Sequence, residues 1–273
     1  MVGEPSLFTG ANRCEQVSPF HRWATERVIL TMRKQFSEEL TLGELAHGSG
    51  LSPSHLDRVF RIVTGITPFQ FLRAIRIQAA QQLLLTTQLS ITEVCFEVGY
   101  SSLGTFTRQF TRLVGTQPNR LRTMVHRDGF LEEARNNLES FRIRNIRQPA
   151  YIHGNVIGQR GSSGLIFIGV FPGPIPENSP IACCFLTEPS PYVLAPVQEG
   201  ANYVLAARVP WSEDPWEYLK DDIASWVGIG RVPFGPNSSS DRICDIVLRT
   251  KSVFDPPIVV ALPVLLSRLL RGV

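Results

Sequence analysis

From residue 56 to residue 63 the apolar side chains Leu56, Val59, Phe60 and Val63 recur at i, i+3, i+4 and i+7, while Ser54, His55, Asp57, Arg58 and Arg61 fall on the opposite side. That is the 3.6-residue period of a helix with one buried stripe. Fifty residues later the pattern returns, with Leu103, Phe106, Phe110, Leu113 and Val114 on the stripe and Gly104, Thr105, Thr107, Arg108 and Arg112 left for solvent or ligand. The spacing predicts helices over residues 52–63 and 102–114. Between them Leu72, Ile75, Ala79 and Leu83 mark a longer helix over residues 68–86, roughly 28 Å long at about 1.5 Å per residue. Beyond Pro149 the long period gives way to short runs rich in Val, Ile and aromatic residues, at 151–157, 164–171, 181–186, 203–209 and 243–248. Clusters of Gly, Pro, Asn and Ser, such as 172–174 and 235–238, separate them, so they predict a small antiparallel β-sandwich or barrel.

The helical part is built from a repeat. The run from Thr41 to Ala46 recurs 49 residues on as Ser90 to Cys95, and Gly50-Leu51-Ser52 recurs as Gly99-Tyr100-Ser101. After one inserted residue the match continues at an offset of 50: Leu56 with Phe106, Arg58 with Arg108, Phe60 with Phe110, Gly65 with Gly115 and Pro68 with Pro118. Each unit reads as helix, tight turn, helix. Thr41 and Ser90 each precede a Glu by three residues, the pattern that caps a helix start from both directions. Gly50 and Gly99 suit the left-handed residue that ends the short first helix, and Pro53 suits the first turn of the second. Thr67 and Gln70 begin the connecting helix in the same way as Thr41 and Glu44. The fold class expected is two-domain: an all-α double helix-turn-helix domain over residues 15–126, a linker with a short helix over 127–149, and an all-β sandwich over 150–273.

Composition adds exclusions. Of 273 residues 43% are hydrophobic and 19% charged, which is globular and excludes wholesale disorder or a coiled coil. Residues 258–270 form the longest apolar run, but it is broken by Pro263 and carries Arg268. It falls short of the about 20 residues that span a bilayer and reads as a buried strand or helix. Residues 1–20 hold Glu4, Pro5, Arg13 and Glu15 with no continuous apolar run, so no secretory signal, no membrane partner and a cytoplasmic location are expected.

Charge is divided unevenly along the chain. Residues 20–126 carry 12 Lys and Arg against 7 Asp and Glu, a net of +5, whereas residues 150–273 carry 9 against 11, a net of −2. Eleven of the 12 front cations are Arg, whose planar fork suits phosphates and guanine edges. The front of the chain is therefore the candidate nucleic-acid binder. A rod of the connecting helix's length approaches the about 34 Å of one B-DNA turn, so it suits two second-position helices set in successive major grooves.

Five cysteines (Cys14, Cys95, Cys183, Cys184 and Cys244) show no C-x-x-C spacing, and five scattered histidines offer no ligand cluster, so no metal site is expected. Trp216, Leu219, Ile223 and Trp226 fall on one face of a helix starting near Asp214, read as a cover for the sandwich in preference to an aromatic ligand pocket.

With these residues in hand, the segment 20–125 resembles the AraC/XylS family of bacterial transcription regulators. The resemblance is most specific in the second unit, through Ser90-Ile91-Thr92-Glu93-Val94, Val98-Gly99-Tyr100, the run Phe106 to Phe110, Gly115 and Pro118. It implies that the second helix of each unit enters the major groove. Ser54, Asp57 and Arg58 would then face bases from the first unit, and Leu103, Gly104, Thr105 and Arg108 from the second. His55, Arg61 and Arg112 complete the expected interface, the last two toward phosphate. His55 and Asp57 are weighed evenly between DNA contact and local capping, with Asp57 either accepting from a cytosine amino group or orienting Arg58, and Arg120 and Arg122 between phosphate contact and solvent. Two pieces of the sandwich, around Gly154 to Phe171 and Gln198 to Leu205, are similar to prealbumin-like or carboxypeptidase-regulatory-type domains and bear on fold alone.

The function implied is a non-enzymatic, sequence-specific DNA-binding transcription regulator without a cofactor. Its partners would be double-stranded DNA and RNA polymerase, and its C-terminal domain would sense a small-molecule effector or form a homo-oligomer. The alternative is an architectural or weakly specific DNA binder whose C-terminal domain binds another protein. A DNA-repair enzyme fused to such a domain ranks last, because it needs an activated cysteine. Some positions depart from the family. Leu103 and Gly104 replace side chains that hydrogen-bond, Thr111 stands where the repeat has Arg61, and the DNA-binding unit comes first in the chain, not last.

Overall fold

A computed structural model describes residues 17–125, 152–159, 164–177, 180–194, 200–210, 226–234 and 242–259. The expected linker 127–149, the helix expected from Asp214 as far as residue 225, the 235–238 turn and Cys14 lie outside these residues. The described helices are α1 (Pro19–Lys34), α2 (Leu42–Ser49), α3 (Pro53–Thr64), α4 (Pro68–Thr86), α5 (Ile91–Glu97), α6 (Leu103–Val114) and α7 (Pro118–Val125). Helices α2 to α6 fall where the periodicity sets them, within a residue or two.

Local chemistry starts each of them. The capping boxes Thr41/Glu44, Thr67/Gln70 and Ser90/Glu93 are all formed in both directions. In the second unit, for example, the Ser90 backbone N–H donates to Glu93 Oε2 at 2.7 Å while the Glu93 N–H donates to Ser90 Oγ at 3.2 Å. Gly50, Gly65, Gly99 and Gly115 all take φ between +71° and +85°, so the duplication extends to the turns that end the helices.

Helix α1 is an addition to the expected pattern. Ser18 caps it and Pro19 opens it, Ala24 is buried, and Val28, Ile29 and Met32 pack with the first unit's Leu45, Leu56 and Phe60. The second unit has its own core of Val94, Val98, Phe106, Phe110, Leu113 and Leu121. Helix α4 contributes to both. Phe71, Leu72 and Ile75 join the first cluster, and Ile77, Ala80 and Leu84 the second. It is thus buried on more than the single stripe expected, because it serves as the shared wall of two cores. Each such Leu, Ile or Phe contributes about 1.5 to 3 kcal/mol by leaving water.

Two arginines tie these layers. Arg76 of α4 donates to the carbonyls of Phe36 at 2.6 Å and Glu38 at 2.8 Å, and its guanidinium lies 5.7 Å from the Tyr100 ring centroid. Arg122 donates to the carbonyls of Leu84 at 3.0 Å and Leu89 at 2.6 Å. Arg122 therefore holds α7 onto α4, which corrects the phosphate contact weighed for it.

The C-terminal region is a two-sheet structure, as expected, with strands β1 (Ile152–Ile157), β2 (Gly164–Phe171), β3 (Ala182–Leu186), β4 (Pro191–Leu194), β5 (Gly200–Pro210), β6 (Trp226–Phe234), β7 (Arg242–Ile243), β8 (Ile246–Val247) and β9 (Arg249–Thr250). The larger sheet runs β3-β2-β5-β6-β9 and is antiparallel; in the smaller, β1 lies between β4 and the β7–β8 segment. The purely antiparallel expectation needs correcting, since β1 pairs with β7 and β8 in parallel. Trp226 also belongs to a strand, β6, and not to the helix expected through it. Ile152, Val156, Ile166, Ile168, Val204 and Ile246 fill the space between the sheets. Cys183 and Cys184 point to opposite faces of their sheet, as their adjacency requires.

The sandwich contacts the helices. Ile175, 4% exposed, packs with the first unit's cluster beside Val253 and Phe254, and Val259 packs with the second unit's. The Gln81 amide donates to the Val259 carbonyl at 3.1 Å, and the Arg22 guanidinium stands 5.4 Å from the Phe254 ring centroid.

Candidate nucleic-acid interface

Helices α3 and α6 are the second members of their units, and each buries its apolar stripe completely at the key positions: Leu56 and Phe60 in α3, Phe106 and Phe110 in α6. Burial of one side fixes what the other side presents. On α3, Ser54, Arg58 and Arg61 are exposed, while His55 and Asp57 are half-buried. On α6, Leu103, Gly104, Arg108 and Arg112 are exposed and Thr105 is half-buried. Arg58 and Arg108 thus stand at the same register on the same face of their units. Among the described residues neither has a hydrogen-bond or ion-pair partner.

Leu103 corrects the hydrophobic reading that put it on the buried stripe, since 41% of it is exposed. It sits in the first turn of α6 and joins Gly104, Thr107, Arg108, Thr111, Arg112 and Gln117 in lining an open cleft of about 790 Å³. The cleft is mixed in character, lined by the Leu103 side chain, two threonines and the guanidinium groups of Arg108 and Arg112.

Not all of the expected side chains are equally available. Asp57 Oδ2 accepts from Arg61 Nε at 2.9 Å, an i, i+4 pair on α3. Asp57 therefore positions Arg61, and not Arg58 as the alternative to a base contact had it. His55 packs edge-on to His21 of α1, their ring centroids 5.2 Å apart. Arg112 Nη2 stands 2.6 Å from Glu177 Oε2, in the segment that follows β2. The same carboxylate lies 3.5 Å from Arg73 of α4 through its other oxygen. Sequence reading gave no sign of Glu177 or Arg73; they are 104 residues apart, and no local period relates them.

Burial pushes the thiols of Cys95 and Cys244 up, and those of Cys183 and Cys184 up to about 12. Buried Tyr100 is likewise raised to about 12, with Arg76 opposing the shift. Among the described residues no three or more His, Cys, Asp or Glu gather where they could hold a metal ion. Among the same residues no helix is long and apolar enough to cross a membrane.

Residues 45–124 match a family model described as a helix-turn-helix domain. The bifunctional transcriptional activator/DNA repair enzyme AdaA of Bacillus subtilis is 30% identical over 120 residues, which are 43% of this chain and 56% of that protein. The HTH-type transcriptional regulator ExsA of Pseudomonas aeruginosa is 33% identical over 97 residues, 36% of this chain and 35% of that one. The chain thus spans between about a third and just over a half of these two relatives. Among solved structures, the C-terminal domain of AraT, a response regulator from Geobacillus stearothermophilus, is 34% identical and covers 40% of this chain and 88% of its own, with a TM-score of 0.36.

Proposed function

We propose that the chain is a sequence-specific, double-stranded DNA-binding transcription regulator that sets α3 and α6 into successive major grooves, a reading supported by the match of residues 45–124 to a helix-turn-helix family model. The observation that carries this is the matched pair Arg58 and Arg108. Both are exposed and placed at the same position of two second helices held by one shared helix, α4. An arginine at a groove reads guanine O6 and N7 with its fork, and two such helices about one turn apart lengthen the sequence read. Arg61, Arg112 and the hydroxyls of Ser54 and Thr105 supply the flanking phosphate and base contacts.

The β-sandwich then serves signal sensing or assembly, with RNA polymerase as the downstream partner on DNA. Support for a non-enzymatic reading comes from the thiols: a repair activity by alkyl transfer needs a thiolate, and the four described cysteines are all shifted away from that form by burial.

The test is site selection followed by footprinting, using the purified full-length chain at physiological salt. A motif of two clusters about 10 base pairs apart, with a discrete protected region, is the expected result. Uniform coating of any duplex would replace this reading with that of an architectural binder.

A further inference from the structure

Glu177 bears on how the second recognition helix is used. Strand β2 ends at Phe171, and the chain continues Pro172-Gly173-Pro174-Ile175-Pro176-Glu177. Three prolines fix φ at half of these six positions, so the segment loses little further freedom when it is held in place. It is held at two points. Ile175 is buried in the cluster with Phe71 and Leu72 of the first unit. Two residues later the Glu177 carboxylate sits between two guanidinium groups, 2.6 Å from Arg112 Nη2, 2.7 Å from Arg112 Nε and 3.5 Å from Arg73 Nη2.

Arg112 lines the same cleft as Leu103, Gly104 and Arg108, so the carboxylate sits at the edge of the face that α6 offers to DNA. A carboxylate and a phosphodiester present the same chemistry to a guanidinium, two or more charged oxygens to a forked donor. We propose that the 172–177 segment is an intramolecular brake on α6. Glu177 occupies the place on Arg112 and Arg73 that a DNA phosphate takes, and duplex DNA must displace it to seat the second helix. This rests on the DNA-binding reading above.

The arrangement suits a brake that yields. One negative charge faces two positive ones, so the site keeps a net attraction for a second anion. Arg112 remains 49% exposed against 16% for Glu177, which leaves its guanidinium open to an approaching strand. Arg73 is more enclosed, and its Nε is buried with no hydrogen-bond partner. Its Nη1 donates to Gln109 of α6 at 3.2 Å, which keeps α6 and α4 in fixed relation while Glu177 comes and goes. Ile175 anchors the brake on the helices while the chain runs directly back to the end of β2, so an event that draws the end of β2 away from the helices also pulls on the carboxylate.

The test measures binding of the full-length chain to a mixed-sequence duplex of about three helical turns, by fluorescence anisotropy over a salt series. Glu177→Gln removes the charge and keeps the shape. It should tighten binding about fivefold at low salt, the size expected for a half-exposed ion pair. The slope of log K against log salt should change little, because Arg112 meets a phosphate in both proteins once Glu177 is displaced. Glu188→Gln, which removes an exposed charge elsewhere in the sandwich, controls for net charge and should leave the affinity as in wild type. In an Arg112→Ala background the gain from Glu177→Gln should vanish. A gain cannot come from misfolding, so the expected result is not open to that explanation. Equal behaviour of Glu177→Gln and Glu188→Gln would overturn the brake while leaving DNA binding in place. Absence of binding by wild type and every variant would overturn the DNA-binding reading itself.

Discussion

A Cβ placed on Gly99 would lie 2.5 Å from the carbonyl oxygen of Ser37, closer than such atoms approach. Gly99 is in the turn of the second unit at φ +80°, and Ser37 follows α1, which packs against the first. The two units therefore meet backbone to backbone at this point, with Arg76 holding the neighbouring carbonyls of Phe36 and Glu38. The spacing between α3 and α6 depends on that contact as well as on α4.

Gly99→Ala should therefore cost more than Gly50→Ala. Both positions have left-handed backbone, for which a side chain costs of order 1 to 3 kcal/mol. A Cβ at Gly50 meets nothing within 4 Å, whereas one at Gly99 must also push Ser37 away. Urea unfolding of the two variants should show the larger loss for Gly99→Ala. Footprints should show protection of one half-site surviving and the other fading as the units lose alignment. Equal losses for the two variants would remove the close contact from the account.

Arg58→Ala and Arg108→Ala should each weaken binding to the selected site by about 1 to 3 kcal/mol and relax preference at one base position. Arg61 is partly engaged by Asp57, so Arg61→Ala should weaken all sequences alike and lower the salt slope. Competition titrations against matched and mismatched duplexes separate the two behaviours. If all three changes alter only the salt slope, the base-reading role assigned to Arg58 and Arg108 is wrong.

Acid should release the starts of α2 and α5 together. Hydrogen bonds from the Thr41 backbone and hydroxyl hold the Glu44 carboxyl below its usual range, and those from the Ser90 side chain and backbone do the same for Glu93. A lowered folded-state value means that the stabilisation is fully present above the unfolded carboxylate value of about 4.3. It is lost as pH falls through the lower, folded value. Glu44→Gln and Glu93→Gln keep the acceptor, as Gln70 does at the start of α4, but cannot titrate. Stability measured from about pH 6 down to pH 3 should be flatter in the double variant than in wild type. Parallel curves would show that these boxes do not sense pH.

The parts of this fold that could be read in advance are those written in local chemistry. Each capping box spans four residues, each apolar stripe one helix, and the repeat doubles every signal, so α2 through α6 stand out. Helix α1 carried comparable signs, Ser18-Pro19 followed by Ala24, Val28, Ile29 and Met32, but has no second copy to draw attention to it. Strand β6 was hidden by Gly228, Gly230 and Pro233, residues that ordinarily interrupt strands, and β4 by its length of four residues beginning with Pro191. The parallel pairing of β1 with β7 and β8 joins segments about 90 residues apart, as the Asn155–Asp245 hydrogen bond does. Nothing periodic encodes it. In the interface, exposure of Arg58 and Arg108 followed from the helix period, but the partners of Asp57 and Arg112 did not. Asp57 had two eligible arginines nearby, and Glu177 reaches Arg112 only through tertiary packing.

The two recognition helices should contribute unequally to sequence choice. In α3 the exposed Ser54 and Arg58 present hydrogen-bonding groups, whereas the first turn of α6 presents Leu103 and Gly104. Leu103 can pack against a thymine methyl, a contact worth less discrimination than a bidentate pair. The selected site should show one sharply defined half and one degenerate half about 10 base pairs away. Gly104 also offers a way to change this. The nearest atom to a Cβ there is Ser102 Oγ at 3.9 Å, so a side chain can leave the backbone without a clash at Cβ. Glutamine has higher helix propensity than glycine by up to about 1 kcal/mol and reads adenine through N6 and N7. Gly104→Gln should therefore raise the unfolding midpoint slightly and add a preference for adenine at one position of the degenerate half, leaving the sharp half as it was. Site selection with both proteins checks this. Two equally informative halves in wild type, or a change confined to the other half in the variant, would mean that α6 is not placed on DNA by its first turn.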